Sequence, residues 1–344
     1  MSQWPPFSVS VRAADYMAKI VESITRLDFG TDFRLDIRLH RENRVRSIYS
    51  SLAIEGNLLS LDEVAEVIDG HPVRGRPRDI QEVKNAHATY DRLLTLDPYD
   101  VGDFLEAHRM LTEGLIEESG RFRGGDVAVF DGDTPVHVGA RPQFVPGLVS
   151  ELFSWARESG LQPVLLSAVV HCEIETIHPF ADGNGRIGRL WQTIILARWN
   201  RVFASLPMES AVFGHRPDYY LALRSSQRVN DATEFIEFSL GTILNVIEDA
   251  LVTSSEPASG TDDVTPADVG RNVGRNVGRK LPESILAALR EDPVLTGAEL
   301  SELVGVTPRT VDRHLRALKD AGRLRREGSR KAGRWIVIEA EETS

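Results

Sequence analysis

Apolar positions recur at three- and four-residue spacing over residues 16–27, 45–59, 61–68, 80–94 and 101–115. The pattern returns over 145–157, 163–177, 187–200, 218–229 and 232–252. That period predicts amphipathic helices, so residues 12–250 read as a mostly helical domain. Ser60 followed by Glu63 predicts a capping box at the start of the 61–68 helix.

One stretch departs from the helical period. Val127-Ala-Val-Phe130 and Val136-His-Val138 flank Asp131-Gly-Asp-Thr134. Short β-branched runs around an Asp-Gly turn predict a β-hairpin. A hairpin inside a helical domain is either a surface excursion or a strand edge that holds an extended segment. Residues 253–280 read as a linker, flexible in composition and then repeating Val-Gly-Arg three times over 268–279. Beyond it, Ile285, Leu286 and Leu289 share one helix face, and Val311, Leu315 and Leu318 share another. Pro308 suits a first helical position, and residues 324–338 read as two strands about a Gly/Ser/Lys turn. Residues 281–340 thus predict a helix-turn-helix with a wing.

Composition narrows the partners. The chain has 344 residues, a formal charge of −11 and one cysteine, Cys172. The net acidity excludes nucleic-acid binding over the whole surface but leaves room for a local basic patch. Residues 305–335 supply one, with ten basic residues against three acidic ones. Arg309, Thr310 and Arg313 at the start of the third helix, and Arg330 and Lys331 in the wing, are the candidate DNA contacts. The rival use of this module is protein contact or dimerisation. A single cysteine forms no internal disulfide. No signal-peptide pattern opens the chain, and no apolar run approaches the ~20 residues of a membrane helix. The expectation is a cytoplasmic protein without membrane contact, acting as a homodimer if it binds DNA.

The candidate chemistry lies in His178-Pro-Phe-Ala-Asp-Gly-Asn-Gly-Arg-Ile-Gly-Arg189. Gly183-Asn184-Gly185 at a helix start can turn backbone amides toward an anion. Arg186 and Arg189, three apart, present two guanidinium forks to phosphate oxygens. Asp182 is a hard oxygen ligand for a Mg²⁺ that bridges phosphates. His178 titrates near neutrality, as a general base must. Zinc through His171, Glu175 and His178 is a weaker reading, with no cysteine pair beside it.

This stretch resembles the Fic (filamentation induced by cAMP) family motif at every defined position. The resemblance extends over roughly residues 45–245. It implies a mainly α fold: a helical Fic domain with a β-hairpin flap, and a small C-terminal winged-helix (α+β) domain. It divides the chain into an N-terminal helical region (1–100) with an inhibitory helix, a catalytic core (101–252), the linker and the winged helix. The implied activity is adenylyl transfer from ATP, with Mg²⁺, to a Ser, Thr or Tyr hydroxyl of a protein, the enzyme itself included. His178 would be the base, Asp182 the metal ligand and 183–185 the anion hole. Arg186 and Arg189 would bind phosphates, and Phe180 would be structural. Val127 and Val129 would dock the target segment, and Tyr219, Tyr220 and Gln227 would face adenine. Ser51-Leu-Ala-Ile-Glu55-Gly resembles the family's inhibitory motif, in which Glu55, helped by Ser51, pairs with Arg189 and keeps phosphate off. Two alternatives stand beside this: a DNA-binding regulator with a nucleotide-sensing Fic domain, and an enzyme that uses Glu55 to remove AMP.

Overall fold

The computed structural model describes residues 4–30, 37–131 and 134–255. Beyond these it describes 285–286, 289–290, 296, 300, 311, 315–316, 318–319, 323–327 and 334–337. The chain forms two compact units, residues 1–258 and 259–344.

In the first unit α1 (Val11–Gly30), α2 (Ile37–Ile54), α3 (Leu61–Ile68), α4 (Pro77–Asp91) and α5 (Val101–Thr112) precede a hairpin of β1 (Ala128–Asp131) and β2 (Thr134–Val138). Then follow α6 (Val145–Glu158), α7 (Pro163–Ile177), α8 (Asn184–Trp199), α9 (Met208–Gly214), α10 (Arg216–Val229) and α11 (Thr233–Ser255). α7 and α8 are buried on almost every face, from Val164 to Ile177 and from Arg186 to Ala197. A helix that is covered all round forms the centre of its domain, and α2, α5, α6, α10 and α11 pack against this pair.

Phe104 on α5 links that centre to the loop between α7 and α8. Its ring lies 5.2 Å from Phe153, 5.2 Å from Phe180 and 4.9 Å from Trp191, and it is fully buried. The capping box at α3 is present, with Ser60 Oγ accepting from the Glu63 N–H and Glu63 accepting from the Ser60 N–H.

Several element boundaries differ from the pattern by a few residues. The helix expected over 45–59 ends at Ile54. Leu58 and Leu59 continue the apolar period, but Gly56 adopts φ +89°, which terminates the helix. The Asn57 N–H reaches Leu52 O and the Gly56 N–H reaches Ala53 O, the pairing of a Schellman turn. β1 begins at Ala128 rather than Val127, whose carbonyl still accepts from the Gly139 N–H. α9, seven residues long, is too short to show a period.

In the second unit β3 (Leu324–Glu327) pairs antiparallel with β4 (Arg334–Val337). Ile285, Leu286, Leu289, Leu300, Val311, Leu315, Leu318, Leu324 and Trp335 form its core. Lys319 and Arg326 lie over the Trp335 ring, each 4.9 Å from its centroid. The candidate DNA contacts Arg309, Thr310, Arg313, Arg330 and Lys331 lie outside the described residues, as does the linker from 256 onward. Among the described residues no helix is long and apolar enough to cross a membrane.

Phe104→Ala is expected to destabilise the first unit by ~3–5 kcal/mol. Urea unfolding monitored by tryptophan fluorescence checks this. A loss below ~1 kcal/mol would show that the aromatic cluster does not carry the α5–α8 contact.

Candidate active site

The loop from His178 to Gly183 joins the two central helices, and both its ends are left-handed. His178 closes α7 at φ 53°, and Gly183 opens α8 at φ 86°. A non-glycine residue in that region is uncommon and is held by its surroundings. The His178 N–H donates to Ile174 O at 2.9 Å, and Arg123 Nε donates to His178 O at 2.7 Å. The Arg123 N–H donates to Pro179 O, and its guanidinium also reaches the carbonyls of Gly125, Ala140 and Ile177. One buried arginine thus ties the hairpin's base to the loop.

Phe180 is fully buried and stacks on His108, with centroids 3.6 Å apart. Asn184 turns its amide back on the loop: Oδ1 accepts from the Phe180 N–H at 2.9 Å, and Nδ2 donates to Phe180 O at 2.8 Å. Its side chain therefore shapes the loop, and only its backbone N–H is left for an anion. His108 completes the frame. Its Nδ1 accepts from the Gly120 N–H, which leaves Nε2–H to donate to Asp182 O at 2.9 Å. Burial holds the His108 pKa down to about 4.

A cleft of about 290 Å³ opens beside the loop. His178, Gly185, Arg189, Glu55, Val129, Tyr219, Tyr220 and Gln227 all line it. Asp182, Gly183, Asn184 and Arg186 do not line it. Val127 is half-buried behind Gly139. Val136, Glu175, Arg216, Leu223 and Arg224 also line the cleft, and the sequence pattern did not single them out for it. Arg123 and His108 carry no motif either; only their spatial contacts reveal them.

His178 Nδ1 lies 3.4 Å from Glu175 O. A carbonyl only accepts, so Nδ1 carries the proton and Nε2 keeps its lone pair. Burial pushes the His178 pKa down to about 4. Glu175 lies one turn back on α7, and burial raises its pKa to about 7, against the lowering effect of Arg189. Its carboxyl stands 3.9 Å from His171, which is buried between Gln192 and Tyr219. Gln227 Nε2 donates to Glu175 O at 3.2 Å. Tyr219 is buried, and Tyr220 lies under the Arg216 guanidinium at 5.6 Å.

Arg189 is only 2% exposed. Its Nη2 lies 2.8 Å from Glu55 Oε1 and 3.0 Å from Ser51 O, and its Nε lies 3.3 Å from Ser51 Oγ. Burial works against its charge, but Glu55 outweighs this and raises its pKa. The carboxylate lies so close to the start of α8 that a Cβ on Gly185 would clash with Glu55 Oε1. Arg189 Nη1 is buried without a partner among the described residues. Arg186, also buried, faces Asp182 Oδ1 at 3.3 Å and Glu82 at 3.5 Å. Asp182 is held below its ordinary pKa: burial would raise it, but Arg186, the Gly183 N–H and Arg78 prevail. Among the described residues no group of three or more His, Cys, Asp or Glu side chains is placed to hold a metal.

Comparison with known proteins identifies the family. The Fic/DOC family model matches residues 98–196, and a winged helix-turn-helix DNA-binding model matches 279–325. The crystal structure of a Fic family protein from Desulfovibrio desulfuricans G20 aligns with 99% of this chain and 100% of its own, at TM-score 0.71 and 34% identity. The chain belongs to the Fic family. Fic-1 from Caenorhabditis elegans shares the fold over 70% of this chain and 71% of its own, at TM-score 0.57 and 24% identity. Among curated relatives, protein adenylyltransferase fic-1 of C. elegans is 30% identical over 58% of this chain and 40% of its own length. Protein adenylyltransferase Fic of Nematostella vectensis is 29% identical over 58% of this chain and 47% of its own. This Fic chain therefore spans under half the length of these curated relatives.

The His178 ring is expected to stay neutral from pH 8 down to about 4, because a depressed pKa keeps the proton off at every pH above it. Histidine ¹³C–¹H NMR, with His178→Gln for assignment, reads this directly. A midpoint near the ordinary 6.5 would show an open, solvated ring.

Proposed function

We propose that the first unit transfers AMP from ATP to a Ser, Thr or Tyr hydroxyl of a protein, the chain itself included, and that Glu55 holds this reaction off. The observation that carries the reading is the Arg189–Glu55 pair at 2.8 Å, in the same cleft as His178. A carboxylate there occupies the guanidinium that a nucleotide's terminal phosphates need.

The chemistry follows from the residues. His178 Nε2 takes the proton of the target hydroxyl. That oxygen bonds to the α-phosphorus, the bond from α-phosphorus to bridging oxygen breaks, and pyrophosphate leaves. Of the expected anion hole 183–185, the Gly183 N–H is taken by Asp182 Oδ1, so the N–H groups of Asn184 and Gly185 stabilise charge on the transferring group, and Arg186 and Arg189 neutralise the leaving phosphates. Asp182 is ionised and partly exposed, and one carboxylate suffices for a Mg²⁺ that takes its other ligands from phosphates and water. Such an ion would neutralise phosphate charge. Tyr219, Tyr220 and Gln227 line the same cleft and are assigned here to the base. β1, with Val129 in the cleft wall, suits strand pairing with the target segment.

The names of the curated relatives support this activity. The same cleft would also suit removal of AMP by hydrolysis: water that Glu55 activates bonds to the phosphorus of a target's AMP, the bond to the target oxygen breaks, and the target hydroxyl leaves with the proton. The winged helix-turn-helix match favours DNA as the partner of the second unit, with dimerisation supplying affinity. A cytoplasmic placement is consistent with its lone buried Cys172.

With α-³²P-ATP and Mg²⁺, Glu55→Gly is expected to label itself or a target at least about tenfold faster than the parent chain, the equivalent of ~1.4 kcal/mol. Adding His178→Ala should abolish the label. Equal labelling of parent and Glu55→Gly would overturn the inhibitory role. Release of AMP from labelled protein by the parent chain alone would favour the hydrolytic reaction.

A further inference from the structure

Glu55 occupies the phosphate end of the motif. Asp182, at the metal end, has a cation of its own. Arg78 Nη2 lies 2.9 Å from Asp182 Oδ2. The other carboxylate oxygen, Oδ1, is engaged within the loop by the Gly183 N–H at 2.6 Å and by Arg186 at 3.3 Å. Arg78 therefore covers the oxygen that the loop leaves outward.

Arg78 comes from far along the chain, in the first turn of α4. A cation there is disfavoured by the positive end of the helix dipole, which a local pair with Glu82 offsets. Its partner one turn on, Glu82, accepts from Arg78 Nε at 3.3 Å and stands 3.5 Å from Arg186 Nη1. α4 thus sets a positive charge on the candidate metal ligand and a negative charge on a candidate phosphate arginine. It is tied to the inhibitory segment too: Asn57 Nδ2 donates to Glu82 Oε2 at 2.9 Å and to Asp79 O at 3.1 Å.

We propose that Arg78 is a stand-in for the divalent cation, resting on Asp182 until metal and nucleotide arrive and setting the metal concentration at which the site loads. The inference rests on the nucleotidyl-transfer reading above. The pair is half in solvent, with side-chain exposures of 55% for Arg78 and 43% for Asp182, so its displacement is worth a modest factor. The ion and the guanidinium compete for one oxygen. Without metal, Arg78 also masks Asp182 from the phosphates. Its removal should therefore have opposite effects with and without the ion.

The test uses the full chain with Glu55→Gly, which frees Arg189, and adds Arg78→Ala or Arg78→Lys. Binding of a non-hydrolysable ATP analogue is followed by calorimetry across a Mg²⁺ titration, and in EDTA. Removing Arg78 should lower the half-saturating Mg²⁺ about threefold and weaken binding in EDTA. Arg78→Lys, which keeps the charge, should stay near the Glu55→Gly value. A Mg²⁺ requirement that is unchanged or raised in Arg78→Ala overturns the inference while leaving nucleotide binding intact. Binding by none of the variants overturns the proposed function, and this inference with it. Because Arg78 is half exposed and outside the core, thermal unfolding midpoints should match, and a selective effect on metal dependence separates its role from general loosening.

Discussion

A buried guanidinium needs an anion, and Arg189 is the point around which this Fic domain is arranged. Leaving such a charge unpaired inside the protein is costly, although water reaches the Glu55 side of this pair and softens that cost. The chain meets that need from α2. Glu55 supplies the charge, and Ser51 supplies a backbone carbonyl from the last helical turn, where carbonyls lack partners within the helix. Arg189 is therefore both an ion-pair partner and a cap on the negative end of α2. A site that must hold one negative charge at this spot is also a site where phosphate and carboxylate exclude each other.

The other groups are fixed mainly by backbone. Arg123 binds the carbonyls of His178 and Ile177, Asn184 clamps Phe180, and His108 holds Asp182 O. Each of these uses a buried side chain to satisfy main-chain polar groups that the loop would otherwise bury unpaired. The result is a short loop whose shape does not depend on what binds beside it. His178 gains its tautomer from this frame rather than from a carboxylate, because the partner of Nδ1 is the Glu175 carbonyl.

Chemistry that is contiguous in the chain was legible in the sequence. Residues 178–189 form one loop and one helix start, so their spacing is their geometry. Glu55 was legible because a short motif marks it, although the apolar Leu58 and Leu59 carried the expected helix past its end. Arg78, His108 and Arg123 were not legible. Each acts on the loop from more than fifty residues away, and one sequence carries no record of which helix turns reach which loop. Glu175 was seen only as a weak zinc ligand. What marks it is its burial between His171 and Arg189, and burial is a property of the packed chain.

The position of Glu55 on its helix constrains how Arg189 is freed on the proposed reading. Ile48, Leu52 and Ile54 of α2 are buried in the same core as α7 and α8. Exposing three such side chains would cost about 1.5–3 kcal/mol each. Asn43 and Ser50 add hydrogen bonds to Ser205 O and Ser210. Withdrawing the whole helix therefore costs more than the ion pair returns. The turn at 55–57 is different. It is exposed at Glu55 and Gly56, it ends on a left-handed glycine, and it is tethered to α4 through Asn57. On the proposed reading, the Glu55 carboxylate would leave Arg189 by movement of this turn rather than of α2, and the bonds of buried Asn57 to Leu52 O, Asp79 O and Glu82 are what such a movement would have to break.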